Sequence, residues 1–227
     1  MKKLLLASCA FIFAASASQA VLAKPEPPQV TPEGLELVKR GAFQHTWIHP
    51  DVDFRKYNKI VLVDGSFEYR DVGPAKSSRS TMLRSNEREF GISEKDRARF
   101  EERVSESFSK RLARSKHFEI AEQNGPNTLI LRGHVVDVVS SVPPPMAGSG
   151  EVYTNSVGEV TLRLELYDGE TGKPVAYATE RRKLQRAGGS VDTMFAASSV
   201  SAWSEVAHWA SQTGSRVARG LDDMHKL

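Results

Sequence analysis

The clearest pattern in the chain is a strict alternation: Val160, Leu162, Leu164 and Leu166 are interleaved with Thr161, Arg163, Glu165 and Tyr167. Successive side chains of a strand point to opposite faces, so this period of two predicts a strand with one buried and one wetted face. Asp168-Gly169-Glu170-Thr171-Gly172 follows with turn residues, and "PVAYATERRK" predicts the returning arm of a hairpin. Upstream, "KIVLVD" (59–64) and "TLILRGHVVDVVSS" (128–141) are dense in β-branched residues and predict buried strands. Gly133 marks a bulge or twist point in the second of them. "HFEIAE" (117–122) predicts a short strand, and residues 34–54 predict one or two edge strands broken at Pro50.

Elsewhere the period changes to that of a helix. Phe100, Val104, Phe108 and Leu112 recur every fourth position among Arg and Glu, after Ser93 and Asp96 in a weaker relative of the capping box. A last helix places Trp203, Val206, Ala210, Val217 and Leu221 on one side, with Ser190 as its expected cap. Gly214 costs that helix roughly 1 kcal/mol relative to alanine and predicts a kink or break. The order β, α, β, antiparallel run, α predicts an α+β domain: a mainly antiparallel sheet with two helices packed on one face.

The first residues belong to export rather than to the fold. Lys2 and Lys3 precede an apolar stretch, and small residues in signal-peptidase spacing end at Ala23, with Ala20 as second choice. Leu6-Ala7-Ser8-Cys9 also matches a lipobox, but Cys9 lies inside the apolar stretch that should precede it. Cleavage after Ala23 is therefore the expectation, and lipidation at Cys9 is the alternative. The expected organisation is a signal peptide over 1–23, a Pro-rich linker over 24–34 and a single α+β domain over 35–227. Loss of the leader removes the only cysteine, so disulfides, thiol nucleophiles and cysteine metal sites are excluded from the mature chain.

Charge changes the picture little. The whole chain carries +3, but Lys2 and Lys3 leave with the leader, and a charge of +1 does not argue for nucleic acid. The basic residues that do cluster are Arg70, Lys76, Arg79, Arg84 and Arg88, in a Ser-, Gly- and Pro-containing stretch that predicts a long loop. They are candidate contacts for an anionic envelope polymer or headgroup; the plainer reading is a solvated loop. Trp203 and Trp209 point in different directions on their helix, so one belongs to the core and Trp209 is a candidate partner contact.

No catalytic constellation is visible. There is no G-x-S-x-G elbow or phosphate loop, and Gly148-Ser149-Gly150 lies in a proline-rich stretch. Glu101 and Glu102 are expected on a solvated helix face. His45 and His49 read as edge-strand residues, and His134 as a hydrogen-bonded strand residue, rather than as metal ligands. Neither metal nor cofactor is expected.

"WIHPDVDFRKYNKIVLVD", "SKHFEIAE", "VGEVTLRLELYDGETGKPVAYATERRK" and "HWASQTGSRVARGLDD" together resemble a family of uncharacterised Gram-negative envelope proteins, the domain-of-unknown-function 3313 type, often lipoproteins. The likeness spans residues 35–223 and rests on residues 50–57, on Asp168, Thr171 and Gly172, and on the helix near Trp209. More loosely, the layout is similar to small domains of envelope assembly factors. The resemblance implies a place rather than a reaction. The expected function is thus a non-enzymatic binding or assembly protein of the periplasm or outer membrane, with an envelope protein or polymer as partner. A membrane contact is expected only with Cys9 lipidated. The alternative is a periplasmic hydrolase or carbohydrate-active enzyme whose site is assembled from distant segments; a purely structural tethered domain is the third.

Overall fold

The computed structural model describes residues 26–72, 89–143, 153–185, 195–196 and 199–226. In chain order the elements are β1 (Glu36–Leu37), β2 (His45–Ile48), β3 (Lys59–Tyr69), α1 (Glu94–Leu112), β4 (Glu119–Ala121), β5 (Thr128–Ser140), β6 (Tyr153–Thr154), β7 (Gly158–Asp168), β8 (Pro174–Leu184), β9 (Phe195–Ala196) and α2 (Ser199–Met224). Seven strands form one sheet in the order β1-β2-β8-β7-β5-β3-β4, and β6 and β9 form a separate pair. The expected α+β class holds. Most pairings are antiparallel, but β3 runs parallel to both of its neighbours, β4 and β5.

That exception follows from the connections. Parallel neighbours need a crossover, and α1 supplies one between β3 and β4. The chain then passes across the start of β3, where the carbonyl of Asn127 accepts from the backbone N–H groups of Asn58 and Lys59. Asn127 holds φ at 60°, a left-handed conformation that asparagine tolerates better than most residues.

Alternation in β7 proceeds as the sequence predicts: Val160, Leu162, Leu164 and Leu166 are buried on the helix side. The irregularities lie elsewhere. The β3–β5 register shifts between Val63 and Ser66, opposite Gly133, so the bulge expected at Gly133 is carried by its neighbour strand. A Cβ on Gly65 would stand 1.7 Å from the Gly133 carbonyl oxygen, an approach that only glycine permits. Within β5 the register with β7 slips between Val136 and Val139, where Asp137 has φ of 57°.

Ser93 caps α1 as expected: its hydroxyl accepts from the Asp96 N–H at 3.2 Å and donates to the Asp96 carboxylate at 2.7 Å. Phe100, Val104 and Leu112 point into the core with Phe108 beside them. The expected break at Gly214 does not occur, since α2 is continuous from Ser199 to Met224. Gly214 instead lets the helices meet; a Cβ there would lie 2.6 Å from the carbonyl oxygen of Phe108. The expected cap Ser190 lies outside the described residues.

The N-terminal side also departs from expectation. The linker expected over 24–34 is held to the sheet from Pro28 onward: the Trp47 indole donates to the Pro28 carbonyl at 2.8 Å, and Val30 bridges to Glu36. A turn from Thr31 to Gly34, with Gly34 at φ 84°, makes that return. Among the described residues no helix is long and apolar enough to cross a membrane.

Candidate functional site

Among the described residues polar chemistry and open space gather at several places, of which three are candidate sites. The first is built on the turn after β7. Asp168 is 6% exposed, and its carboxylate accepts from the Tyr57 hydroxyl at 2.5 Å and the Lys56 ammonium at 3.0 Å. It also accepts from the Glu170 N–H, the Thr171 N–H and the Thr171 hydroxyl at 2.7 to 3.0 Å. Burial by itself would raise the Asp168 pKa; the hydrogen bonds from Tyr57, Thr171 and Lys56 outweigh it and hold the carboxyl well below the usual range. Every acceptor position is spoken for, so this is a latch between the 54–57 segment and the β7–β8 hairpin, with no lone pair left for a substrate.

Second is the face of the sheet turned away from the helices. Arg70 is bidentate to Asp137 at 2.7 and 2.6 Å and pairs with Glu89. Arg181 pairs with Glu159 and reaches Asp137 at 3.6 Å. Beside them the Ser66 hydroxyl and His134 Nδ1 are 2.8 Å apart, and His134 Nε2 lies 3.8 Å from Glu165, which accepts from the Tyr167 hydroxyl at 2.7 Å. Serine, histidine and acid do converge here from three strands. The His–Glu separation exceeds hydrogen-bond length, however, so the imidazole is not oriented as a base for Ser66.

Third is a groove of about 540 Å³ between α2 and the sheet. Its floor is set by the inward positions of four strands: Thr46 and Ile48 of β2, Ala176 and Ala178 of β8, Leu164 and Leu166 of β7, and Leu131 of β5. Register explains the opening, because Ala178 lies between Thr46 and Leu164, and Ala176 between Ile48 and Leu166. Two small side chains in the row leave a trough that leucines would have filled. Val217, Gly220, Leu221 and Met224 form the roof, and the segment from Val38 to Phe43 closes one side.

The groove's polar groups are not all satisfied. Arg216 pairs with Glu180, which faces the helices from β8, and its guanidinium stacks 4.6 Å from the Phe43 ring centroid. Its Nε is nevertheless buried without a partner, as is the Thr46 hydroxyl. Unpaired buried donors cost roughly 1–3 kcal/mol each. Arg40 and Arg219 stand exposed at the rim, with Asp223 the acidic member of the lining.

The residues named from sequence fall differently. Arg70 is only 19% exposed and committed to two carboxylates, so it is not a free ligand contact. Lys76, Arg79, Arg84 and Arg88 lie outside the described residues, as do Gly148-Ser149-Gly150 and Cys9, Ala20 and Ala23. Trp209 is 5% exposed and packed in the core, which removes it as a partner contact; Trp203 is the half-buried member, under the Arg99 guanidinium at 4.7 Å. Glu101 is half-buried and accepts from the Tyr69 hydroxyl at 2.9 Å rather than standing in solvent. The His45 ring packs tilted at 44° against Trp47, and the His49 ring accepts from the Asp51 N–H. Among the described residues no group of three or more His, Cys, Asp or Glu is arranged to hold a metal ion. Sequence reasoning missed the groove; its signal was Ala176 and Ala178 at inward positions of a strand whose partner carries leucines there.

Residues 32–216 match the model of a family described as protein of unknown function (DUF3313), and the chain belongs to that family. No curated protein matches the chain. Among solved structures it is similar to a Xanthomonas campestris protein of family DUF330, at 10% identity and TM-score 0.36, covering 80% of this chain and 90% of that one. It is also similar to the PelC dodecamer subunit of Paraburkholderia phytofirmans, at 16% identity and TM-score 0.26, covering 69% and 86%. A minor lipoprotein of Acinetobacter baumannii matches at 13% identity and TM-score 0.28, covering 74% and 92%. These likenesses are too distant to transfer a ligand or an activity.

Proposed function

We propose that this family member is a non-enzymatic binding or assembly protein of the cell envelope, working in the periplasm or at the outer membrane with the groove beneath α2 as its ligand seat. The observation that carries this reading is the coincidence, in one apolar trough, of open volume with two exposed arginines at its rim, Arg40 and Arg219. Ligand sites combine an apolar lining with a few placed polar groups in this way. Export rests on the leader sequence: Lys2 and Lys3, the apolar stretch and the small residues before Ala20 and Ala23.

The reading is tested by titrating the purified protein with N-phenyl-1-naphthylamine, whose fluorescence rises on entering an apolar site. Saturable binding that is lost in Ala178→Leu, with the circular dichroism spectrum unchanged, supports it; no binding overturns it. Intact mass of the protein recovered from the envelope checks the address. A chain beginning at Lys24 or Val21 supports a free periplasmic form, and a diacylglyceryl mass on Cys9 supports the anchored one.

A second reading, hydrolysis, is favoured by one observation, the approach of Ser66, His134 and Glu165 on the open face. It requires the Ser66 hydroxyl to be activated in the folded protein. A fluorophosphonate that labels wild type but not Ser66→Ala would establish it in place of the binding reading; absence of labelling would dismiss it.

A further inference from the structure

We infer that the occupant of the groove is a single-chain acyl lipid with a phosphate head group, a lysophospholipid. This rests on the reading of the groove as the ligand seat. The chain is called for by the shape of the apolar space. Leu131 and Leu164 line both the groove and a second cavity of about 260 Å³ between the two helices and the sheet, so the two spaces share an apolar wall beneath α2. The second cavity also meets the buried, unpartnered hydroxyl of Thr213.

The head group is called for by charge and by donors. Among the described residues the lining carries three guanidinium groups, Arg40, Arg216 and Arg219, against the one carboxylate of Asp223. Glu180 neutralises Arg216 from outside the lining but leaves its Nε–H free. The Thr46 hydroxyl lies at the same end: a Cβ on Gly41 would sit 2.3 Å from it, and Arg216 packs on the next residues, with its guanidinium reaching the Ala42 carbonyl and stacking on Phe43. A phosphate ester offers several acceptor oxygens to the exposed guanidinium forks of Arg40 and Arg219, which suits them better than an uncharged head would. The acyl chain then lies under Val217 and Leu221 and over Leu164 and Leu131.

The test is displacement of N-phenyl-1-naphthylamine from the purified protein by palmitoyl lysophosphatidylglycerol, monopalmitoylglycerol and palmitic acid. The expected result is displacement by the lysophospholipid at about tenfold lower concentration than by the monoacylglycerol, the effect of a charge-assisted contact. Arg40→Glu with Arg219→Glu, both exposed and outside the core, should erase that preference, so that in this variant the lysophospholipid and the monoacylglycerol displace the probe at equal concentration. Equal displacement by the uncharged lipid overturns the inference and leaves the groove reading standing. Palmitic acid matching the lysophospholipid overturns the phosphate assignment. A protein that takes up no probe removes both. If Ala178→Leu fails to fold, Ala176→Leu serves as the filled-groove control, in which every lipid must lose its effect.

Discussion

The turn at Asp168 and the rim of the groove both bury polar groups, and they do so in opposite ways. At Asp168 one carboxylate collects five donors from two distant segments, so its desolvation is fully compensated. At the rim, Arg216 Nε and the Thr46 hydroxyl are buried with nothing to bond. The first arrangement stabilises the fold and leaves no valence for a ligand. The second costs stability in the free protein and leaves valence unfilled. The residues on which the family resemblance rests most visibly, Asp168 and Thr171, therefore belong to architecture.

The comparison predicts its largest effect at the latch. Asp168→Ala should lower unfolding free energy by about 3–4 kcal/mol, since it strands the buried Tyr57 hydroxyl and the Thr171 N–H. Urea denaturation reads it, and a loss below about 1 kcal/mol would remove the latch from the account. The same carboxyl gives a pH signature. Its folded pKa lies below its unfolded value of about 3.9, so its contribution is complete above that range and is lost as pH falls below it. Stability measured from about pH 6 to about pH 2 should fall, and Asp168→Asn should flatten the fall. Asp137 and Asp222, also held low, retain the remainder.

Smaller effects are expected at the rim, and their sign is the point. Glu180→Gln should cost about 1–2 kcal/mol, because it leaves the Arg216 guanidinium without its carboxylate. Thr46→Val should leave stability unchanged or raise it by up to about 1 kcal/mol, since it removes an unsatisfied buried hydroxyl and keeps the β-branched shape. A marked loss in Thr46→Val would mean the hydroxyl is satisfied in solution and would erase the contrast with Asp168. Arg40→Glu with Arg219→Glu should stay within about 0.5 kcal/mol of wild type by thermal melting, as exposed charges do.

Much of the fold could be read in advance because it is written in local periods. The alternation of β7, the four-residue stripe of α1 and the cap at Ser93 depend only on neighbours in sequence, and each stands where the pattern places it. The turn after Asp168 was legible for the same reason. What it grips was not: Tyr57 is 111 positions away. Trp209 shows the limit of a helical stripe, since which of two tryptophans faces the core depends on where α1 and the sheet lie. Gly214 shows it for propensity: a helix-weakening residue marks a close approach of the other helix rather than a break.

By itself, then, the sequence determined the family, the long strands and the two helices, and the buried faces of β7 and α1. Tertiary structure decided the parallel placement of β3 between β4 and β5, the union of Asp168 with Tyr57 and Lys56, and the groove. The division has one physical cause. A repeating pattern specifies which face of an element avoids water, and that is local. A cavity is set by side-chain volumes summed across four strands and a helix, so two alanines in β8 become a trough only once Thr46, Leu164 and Val217 are brought around them.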